Sequence, residues 1–163
     1  IKALPLPTEK VLDPKSTRLF SLVSLTCMVL PILERLVVGP AQSVPAWHIL
    51  GLPLMVLGID LRVQSIHELG PFFTYPVCIR QGHLLVQTGL YARLRHPSYF
   101  ANLLIVSGAA VLLQSHWLIA GLGAYVAMTL WRIHVEERAL IAHFSGEYIE
   151  YKRKTKALIP FLY

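Results

Sequence analysis

The chain has 163 residues, 55% of them hydrophobic and only 15% charged, with a mean hydropathy of +0.55. Soluble domains carry about 25% charged residues, so this balance excludes an ordinary water-soluble enzyme and a disordered chain. The net charge of +6 then reads as basic loops facing anionic lipid rather than a nucleic-acid surface, and Cys27 and Cys78, far apart, exclude a disulfide framework and a cysteine-built zinc site.

A membrane helix needs about 20 apolar residues, and four segments are read as such helices. The first covers residues 19–38 and stays apolar until Glu34 and Arg35. The second covers 44–61, with Asp60 and Arg62 marking its exit. The third covers 99–114. The fourth covers 117–135, and its helical pattern continues through Arg132, Glu136, Glu137 and Leu140. That continuation projects beyond the bilayer, because roughly 26 residues at 1.5 Å each exceed a 30 Å core. The first segment is too long for a signal peptide and no small-residue cleavage site follows it. With no initiator Met, the chain is expected to lack a few starting residues. The expected fold is all-α: one polytopic membrane helix bundle over residues 1–163.

The linkers at 39–43 and 115–116 are short and carry no Lys or Arg. The segment 62–98 is read as a long polar loop, and the tail after Leu140 is similar. Apart from Arg35, every Lys and Arg lies in the N-terminal tail, that middle loop, or the end of the fourth helix and the tail. The positive-inside rule then predicts that both termini and the middle loop are cytoplasmic. Trp47 and Trp117 begin the second and fourth segments at the opposite face, where aromatic belts sit. Pro31 and Pro53 read as tolerated kinks, and Asp60 as an interfacial acid near Arg62.

Three clusters carry possible chemistry. The middle loop ends in a run from His83 to Tyr99 with two His, two Tyr and two Arg. Within it Gly89 permits a tight turn, and Pro97 suits the first turn of a helix, where its missing N–H costs nothing. His96 and Ser98 flank that helix start, whose free N–H groups attract anions. The bland alternative is a capped, basic anchor at the membrane surface. In the second cluster Arg132 and Glu136 are spaced i, i+4 and share a helix face. They are either a surface ion pair, worth little, or groups turned into the bundle interior. The third, Phe144 to Pro160, reads as an amphipathic helix on anionic lipid that is also able to cover a cofactor site. No Gly-rich phosphate loop, HExxH, CxxC or GxSxG occurs, so phosphate-loop, metal and serine-hydrolase chemistry are unsupported. The basic tail lacks the fold context for nucleic acid.

Together these clusters resemble the isoprenylcysteine carboxyl methyltransferase family of integral membrane enzymes. The resemblance rests on H-x-L-V-x-x-G-x-Y at His83–Tyr91, R-H-P-S-Y at Arg95–Tyr99, R-x-x-x-E-E at Arg132–Glu137, and F-x-G/S-x-E-Y-x-x-Y at Phe144–Tyr151. Two departures are Ala101, where the family usually has Gly, and Ser145-Gly146 in place of Gly followed by an acid. The resemblance implies S-adenosyl-L-methionine as methyl donor, leaving as S-adenosyl-L-homocysteine. Its cytosolic pocket is formed by the middle loop, the last two spans and the tail. It gives cofactor contacts to His83, Leu84, Leu85, Val86, Tyr91, His96, Pro97, Ser98, Tyr99 and Glu136, and acceptor binding to Arg132. The implied acceptor is a lipophilic small molecule or prenylated substrate entering from the bilayer, with membrane lipid as the surrounding partner and neither nucleic acid nor metal involved. The eukaryotic members are longer, with more spans, which leaves the acceptor open here.

Three rivals stand beside this reading. A phospholipid-amine or thiol methyltransferase needs a base to deprotonate its acceptor, and His134 or Glu137 are the candidates. A membrane reductase using a nicotinamide cofactor needs basic groups for phosphates, from Arg93, Arg95 and Lys152–Lys154. A non-enzymatic membrane adaptor needs neither.

Overall fold

The computed structural model describes residues 10–11, 14–39, 46–75, 78–79, 82 and 84–159. Among the described residues five α-helices follow in order: α1 Pro14–Val38, α2 Gly51–Leu69, α3 Pro97–Leu113, α4 His116–Phe144 and α5 Gly146–Lys154. A 3-10 turn, Ala46–Leu50, leads into α2 and another, Gly70–Phe72, leaves it. A short antiparallel β pairing joins Lys10–Val11 to Cys78–Ile79, and a single parallel bridge joins Leu94 to Lys156. The expectation of an all-α membrane bundle is borne out. Among the described residues three helical stretches are long and apolar enough to cross a bilayer, at Pro14–Val37, His48–Phe72 and His116–Phe144. The apolar α3 has 17 residues, about 25 Å of rise.

One boundary differs from the sequence reading. α2 does not stop at Asp60 and Arg62 but runs on to Leu69, so the first turns of the supposed middle loop are helix. Its buried face explains the continuation. Gly51, Gly58 and Ser65 are the buried residues of α2. They recur every seventh position and keep one stripe on α3. α2 and α3 form the most extensive helix pair of the bundle. A side chain on Gly58 would collide with the Ala101 carbonyl and Ile105, and one on Gly108 with the Gly51 carbonyl and Met55. Lipid gives apolar helices no solvent-driven reason to associate, so close backbone approach between small residues supplies the contact. Ala101 is fully buried here, and its backbone approaches α2 closely because Gly58 opposite lacks a side chain.

The far end of the bundle is held by α1. Arg35 donates to the carbonyls of Leu113 and Gln114, at 2.6 and 2.7 Å, satisfying acceptors that the end of α3 leaves orphaned. The Glu34 carboxylate accepts from the Ser115 hydroxyl and from the His116 amide. Ser115 in turn caps α4 by accepting from the Leu118 amide at 3.1 Å.

At the near end the chain after α5 folds back on the segment before α3. The amides of Arg95 and His96 donate to the carbonyls of Lys156 and Ala157, at 2.8 and 3.0 Å. Ala157 and Leu158 bury against Ile133, Tyr99, Phe100 and Leu103. Ser145, between α4 and α5, has φ +51° and ψ −120°. Gly70 at the end of α2 has nearly the same pair, +51° and −122°, and such backbone suits glycine far better than a residue with a Cβ. Ser145 thus keeps a glycine conformation where the family resemblance expects Gly. Ser145→Gly is expected to stabilise the protein by about 1 kcal/mol, raising a thermal midpoint in detergent by roughly 2–4 °C. An unchanged or lower midpoint would show that the serine relaxes without cost.

Candidate active site

An open cleft of about 1060 Å³, its mouth included, lies at the near end of the bundle. α4 contributes one face, with Arg132 and Glu136 a turn apart and Ala139 and Leu140 beyond them. The start of α3 contributes His96, Ser98, Tyr99 and Asn102. Arg62 and Leu69 come from α2, and Phe20 from α1. The rest is loop, Phe72–Tyr75 with Leu84–Val86, closed by Tyr91 and by Tyr148 and Tyr151 of α5.

The centre of the cleft is a hydrogen-bonded chain. Arg132 Nε donates to the Tyr99 hydroxyl at 2.7 Å, and that hydroxyl donates to Glu136 Oε2 at 2.8 Å. Arg132 and Glu136 therefore do share a face, as the spacing predicts, but Tyr99 stands between them. The surface ion pair is excluded by burial, since Arg132 is 3% exposed. Its other nitrogens donate to the Thr17 hydroxyl and the Tyr75 carbonyl, and its guanidinium lies 5.2 Å from the Phe20 ring centroid. Phe20 also meets the Tyr99 ring edge-on at 5.7 Å, so α1 fixes both members of the chain.

Glu137, the next residue, does the opposite work. It accepts from Arg95 Nε at 2.7 Å and from Lys152 Nζ at 2.5 Å, with His96 Nε2 at 3.6 Å. Arg95 also donates to the carbonyls of Lys152 and Thr155. This network ties α4 to α5 and to the segment before α3, behind the cleft wall. Glu136 keeps 31% of its side chain exposed, against 9% for Glu137, and only Glu136 lines the cleft.

The loop wall is anchored by α2. Glu68 Oε2 accepts from the Leu90 amide at 2.8 Å, in the space left by Gly89, whose φ is +54°. The turn expected at Gly89 is thus present. Tyr91 donates to the Ser65 carbonyl at 3.3 Å and Tyr151 to the Tyr91 carbonyl at 2.7 Å. Burial pushes the phenols of Tyr91, Tyr148 and Tyr151 well above their usual values, so all three remain donors at neutral pH. Two buried polar atoms of the cleft residues have no hydrogen-bond partner among the described residues, the Tyr148 hydroxyl and His96 Nε2.

Of the residues singled out from sequence, Leu84, Leu85, Val86, Tyr91, His96, Ser98, Tyr99, Arg132 and Glu136 all line this one cleft. Pro97 is buried at the first position of α3 and starts the helix without reaching the cavity. His83 lies outside the described residues. The base candidates do not line the cleft: His134 is exposed, and Glu137 is taken up by its cations. Of the phosphate-binding candidates only Arg95 lines it, and its fork is occupied; Lys152 and Lys154 pair with Glu137 and Glu150.

The family model described as the isoprenylcysteine carboxyl methyltransferase (ICMT) family matches residues 49–142, more than half of the chain. The chain belongs to this family. It is 37% identical over 121 residues to the protein-S-isoprenylcysteine O-methyltransferase of Saccharomyces cerevisiae, covering 70% of this chain and 49% of that protein. The Homo sapiens protein of the same name is 34% identical over 119 residues, 69% of this chain and 40% of that one. A solved structure of a eukaryotic intramembrane Ras methyltransferase, isoprenylcysteine carboxyl methyltransferase, superposes with a TM-score of 0.71 at 25% identity, over 93% of this chain and 55% of that one. The chain therefore spans about half the length of the relatives it matches.

The residues of this ICMT-family cleft that the sequence does not single out include Arg62, Asn102, Tyr148 and Tyr151, with Phe20 and Tyr75 beside Arg132. Arg62 was read as the exit of a span. Tyr148 and Tyr151 were read as interfacial, although their i, i+3 spacing already placed them on one helix face. Asn102 carried no signal, because a single amide in an apolar run is as often a packing residue.

Proposed function

We propose that this chain is a membrane-embedded methyltransferase that moves a methyl group from S-adenosylmethionine to the carboxylate of an isoprenylcysteine-like or other small lipophilic acceptor. The observation that carries the reading is the Arg132–Tyr99–Glu136 chain inside one cleft. It holds one anionic and one cationic group at fixed separation, with Tyr99 as the spacer. Glu136 keeps Oε1 without a hydrogen bond among the described residues and suits the donor's ammonium. The unpartnered Tyr148 hydroxyl is a buried polar atom that a bound donor would satisfy. Leu84–Val86 offer apolar side chains and free backbone to an adenine ring. The residues present thus fit the group.

Bound there, S-adenosylmethionine supplies a sulfonium methyl open to in-line attack by an oxygen already anionic at neutral pH. The protein is then asked for alignment and exclusion of water rather than for a base. That the two base candidates lie off the cleft agrees with a carboxylate acceptor better than with an amine or thiol. Arg132, one turn from Glu136 toward the α3–α4 turn, fixes the acceptor's carboxylate with the N–H groups its protein partners leave over. The acceptor's lipid tail enters between helices from the bilayer.

Calorimetric titration of the detergent-solubilised chain tests the donor. S-adenosylhomocysteine should bind and NADPH should not; the reverse result would favour the reductase. Transfer of labelled methyl to an S-prenylcysteine, and not to a phospholipid amine or small thiol, tests the acceptor. The same reading places the loop, the cleft and both termini in the cytoplasm with four crossings, α3 completing the third. Reporter fusions at Gln42 and Ser115 should read as external, and a cytoplasmic signal at either position would sink the topology.

A further inference from the structure

A second guanidinium faces the same cleft. Arg62, on α2, donates from one amino nitrogen to the Ser98 hydroxyl at 3.0 Å and to the Asn102 side-chain carbonyl at 2.9 Å. Both acceptors are neutral. Among the described residues no carboxylate lies within ion-pair distance of Arg62, and neither its Nε nor its second amino nitrogen makes a hydrogen bond. A cation on a membrane helix without an anion is costly, and such residues turn toward cavities and ligand paths. A mere tether between α2 and α3 would not need it. Those helices are already held along their length by the Gly51, Gly58 and Gly108 contacts, and a neutral amide would serve Ser98 and Asn102 as well.

The charges of the cleft then count as follows. Arg95 is consumed by Glu137 and two carbonyls. What remains is one carboxylate, Glu136, and two guanidinium groups, Arg132 and Arg62. The methyl donor brings an ammonium and a carboxylate, and the acceptor brings a carboxylate. Arg62 also belongs to a helical stretch long and apolar enough to cross a bilayer. It lies against the first and second turns of α3, one turn beyond Ser65, whose carbonyl holds Tyr91. It lies one turn from Gly58, at the depth of the small-residue packing.

We propose that Arg62 is a second acceptor-binding residue, gripping the acceptor's carboxylate or adjoining carbonyl from α2 while Arg132 grips it from α4. This rests on the methyltransferase reading above and extends it. Ser98 and Asn102 hold one nitrogen of the fork so that the remaining donors point into the cavity, and a planar guanidinium held in this way suits a carboxylate.

The test uses the whole chain in detergent, an N-acyl S-prenylcysteine as acceptor, its carboxamide as a competing ligand, and S-adenosylhomocysteine as donor-site probe. Arg62→Gln should raise the acceptor KM at least tenfold, leave S-adenosylhomocysteine affinity within threefold, and erase most of the preference for carboxylate over carboxamide. Arg62→Lys, which keeps the charge without the fork, should recover part of that preference. It also serves as the measured variant if the Gln form does not fold. Asn102→Leu removes one of the two acceptors that position the fork and should erode part of the preference, in the same direction as Arg62→Gln. A tenfold loss of S-adenosylhomocysteine affinity in Arg62→Gln would hand Arg62 to the donor and overturn the proposal. Unchanged KM and preference would reduce Arg62 to a tether and overturn it as well. Wild-type protein that binds S-adenosylhomocysteine but methylates no prenylcysteine overturns the methyltransferase reading and this one together; an active wild type with an indifferent Arg62→Gln overturns this one alone.

Discussion

Replacing Arg132 by Lys is expected to lower catalytic efficiency toward a carboxylate acceptor by roughly 10²-fold or more, the scale at which small misplacements are felt. Donor affinity should change by less than about tenfold. A guanidinium has five N–H donors. In this site one goes to the Tyr99 hydroxyl, one to the Thr17 hydroxyl and one to the Tyr75 carbonyl, and the other two have no partner among the described residues. The planar group also rests near the Phe20 and Tyr75 rings, 5.2 and 5.9 Å from their centroids. An ammonium keeps the charge but cannot make three fixed bonds to three elements and still present a pair of donors. The expected failure is therefore one of alignment, seen in kcat/KM, with S-adenosylhomocysteine binding measured beside it by calorimetry. If the substitution abolished donor binding, Arg132 would belong to the donor's site. If turnover survived, the acceptor would not be an anion, and an amine or thiol acceptor would move ahead.

Much of this arrangement is legible in the sequence, and the reasons differ by residue. Hydropathy marks α1, α3 and α4 because lipid leaves a helix face no polar alternative. The i, i+4 spacing of Arg132 and Glu136 puts them on one face, and the helix start at Pro97 follows from proline's fixed φ. What hydropathy concealed is the second half of α2. Arg62, Gln64, His67 and Glu68 read as a loop because a hydropathy window averages over all faces of a helix. The signal that does not average is the repeat of small residues at Gly51, Gly58 and Ser65, which continues across the charged stretch. Following it would have kept Arg62 on a helix and turned it toward α3. Tyr99 as the link between Arg132 and Glu136 was beyond reach, since residues 33 and 37 positions apart meet only through the folded hairpin. The same holds for the division of labour in the Glu136–Glu137 pair. Sequence places two carboxylates side by side, and only the packing of α5 decides which one is walled in.

That division yields the last expectation. Glu136→Gln should weaken S-adenosylhomocysteine binding by about 1.5–3 kcal/mol, the worth of a hydrogen bond to a charged group, or roughly 10- to 150-fold. The substitution is chosen for what it keeps. A glutamine carbonyl still accepts from the Tyr99 hydroxyl, which now lies 2.8 Å from Oε2, so the Arg132–Tyr99 link survives and only the negative charge facing the cleft is lost. Glu136 is partly exposed and carries none of the cations that hold α5, so the ligand-free thermal midpoint should move little. Glu137→Gln gives the contrast. It strips the shared anion from Arg95 and Lys152, and breaking such a buried pair typically costs about 3–5 kcal/mol. Its first symptom should be a lower midpoint rather than a selective loss of donor affinity. Two neighbouring carboxylates with opposite phenotypes, one in binding and one in stability, are what separate a donor-binding Glu136 from an ion pair whose only task is to hold the fold. Were Glu136→Gln to unfold the protein with its affinity intact, the ammonium would have to be sought by another group, and the central Arg132–Tyr99–Glu136 chain would be structural.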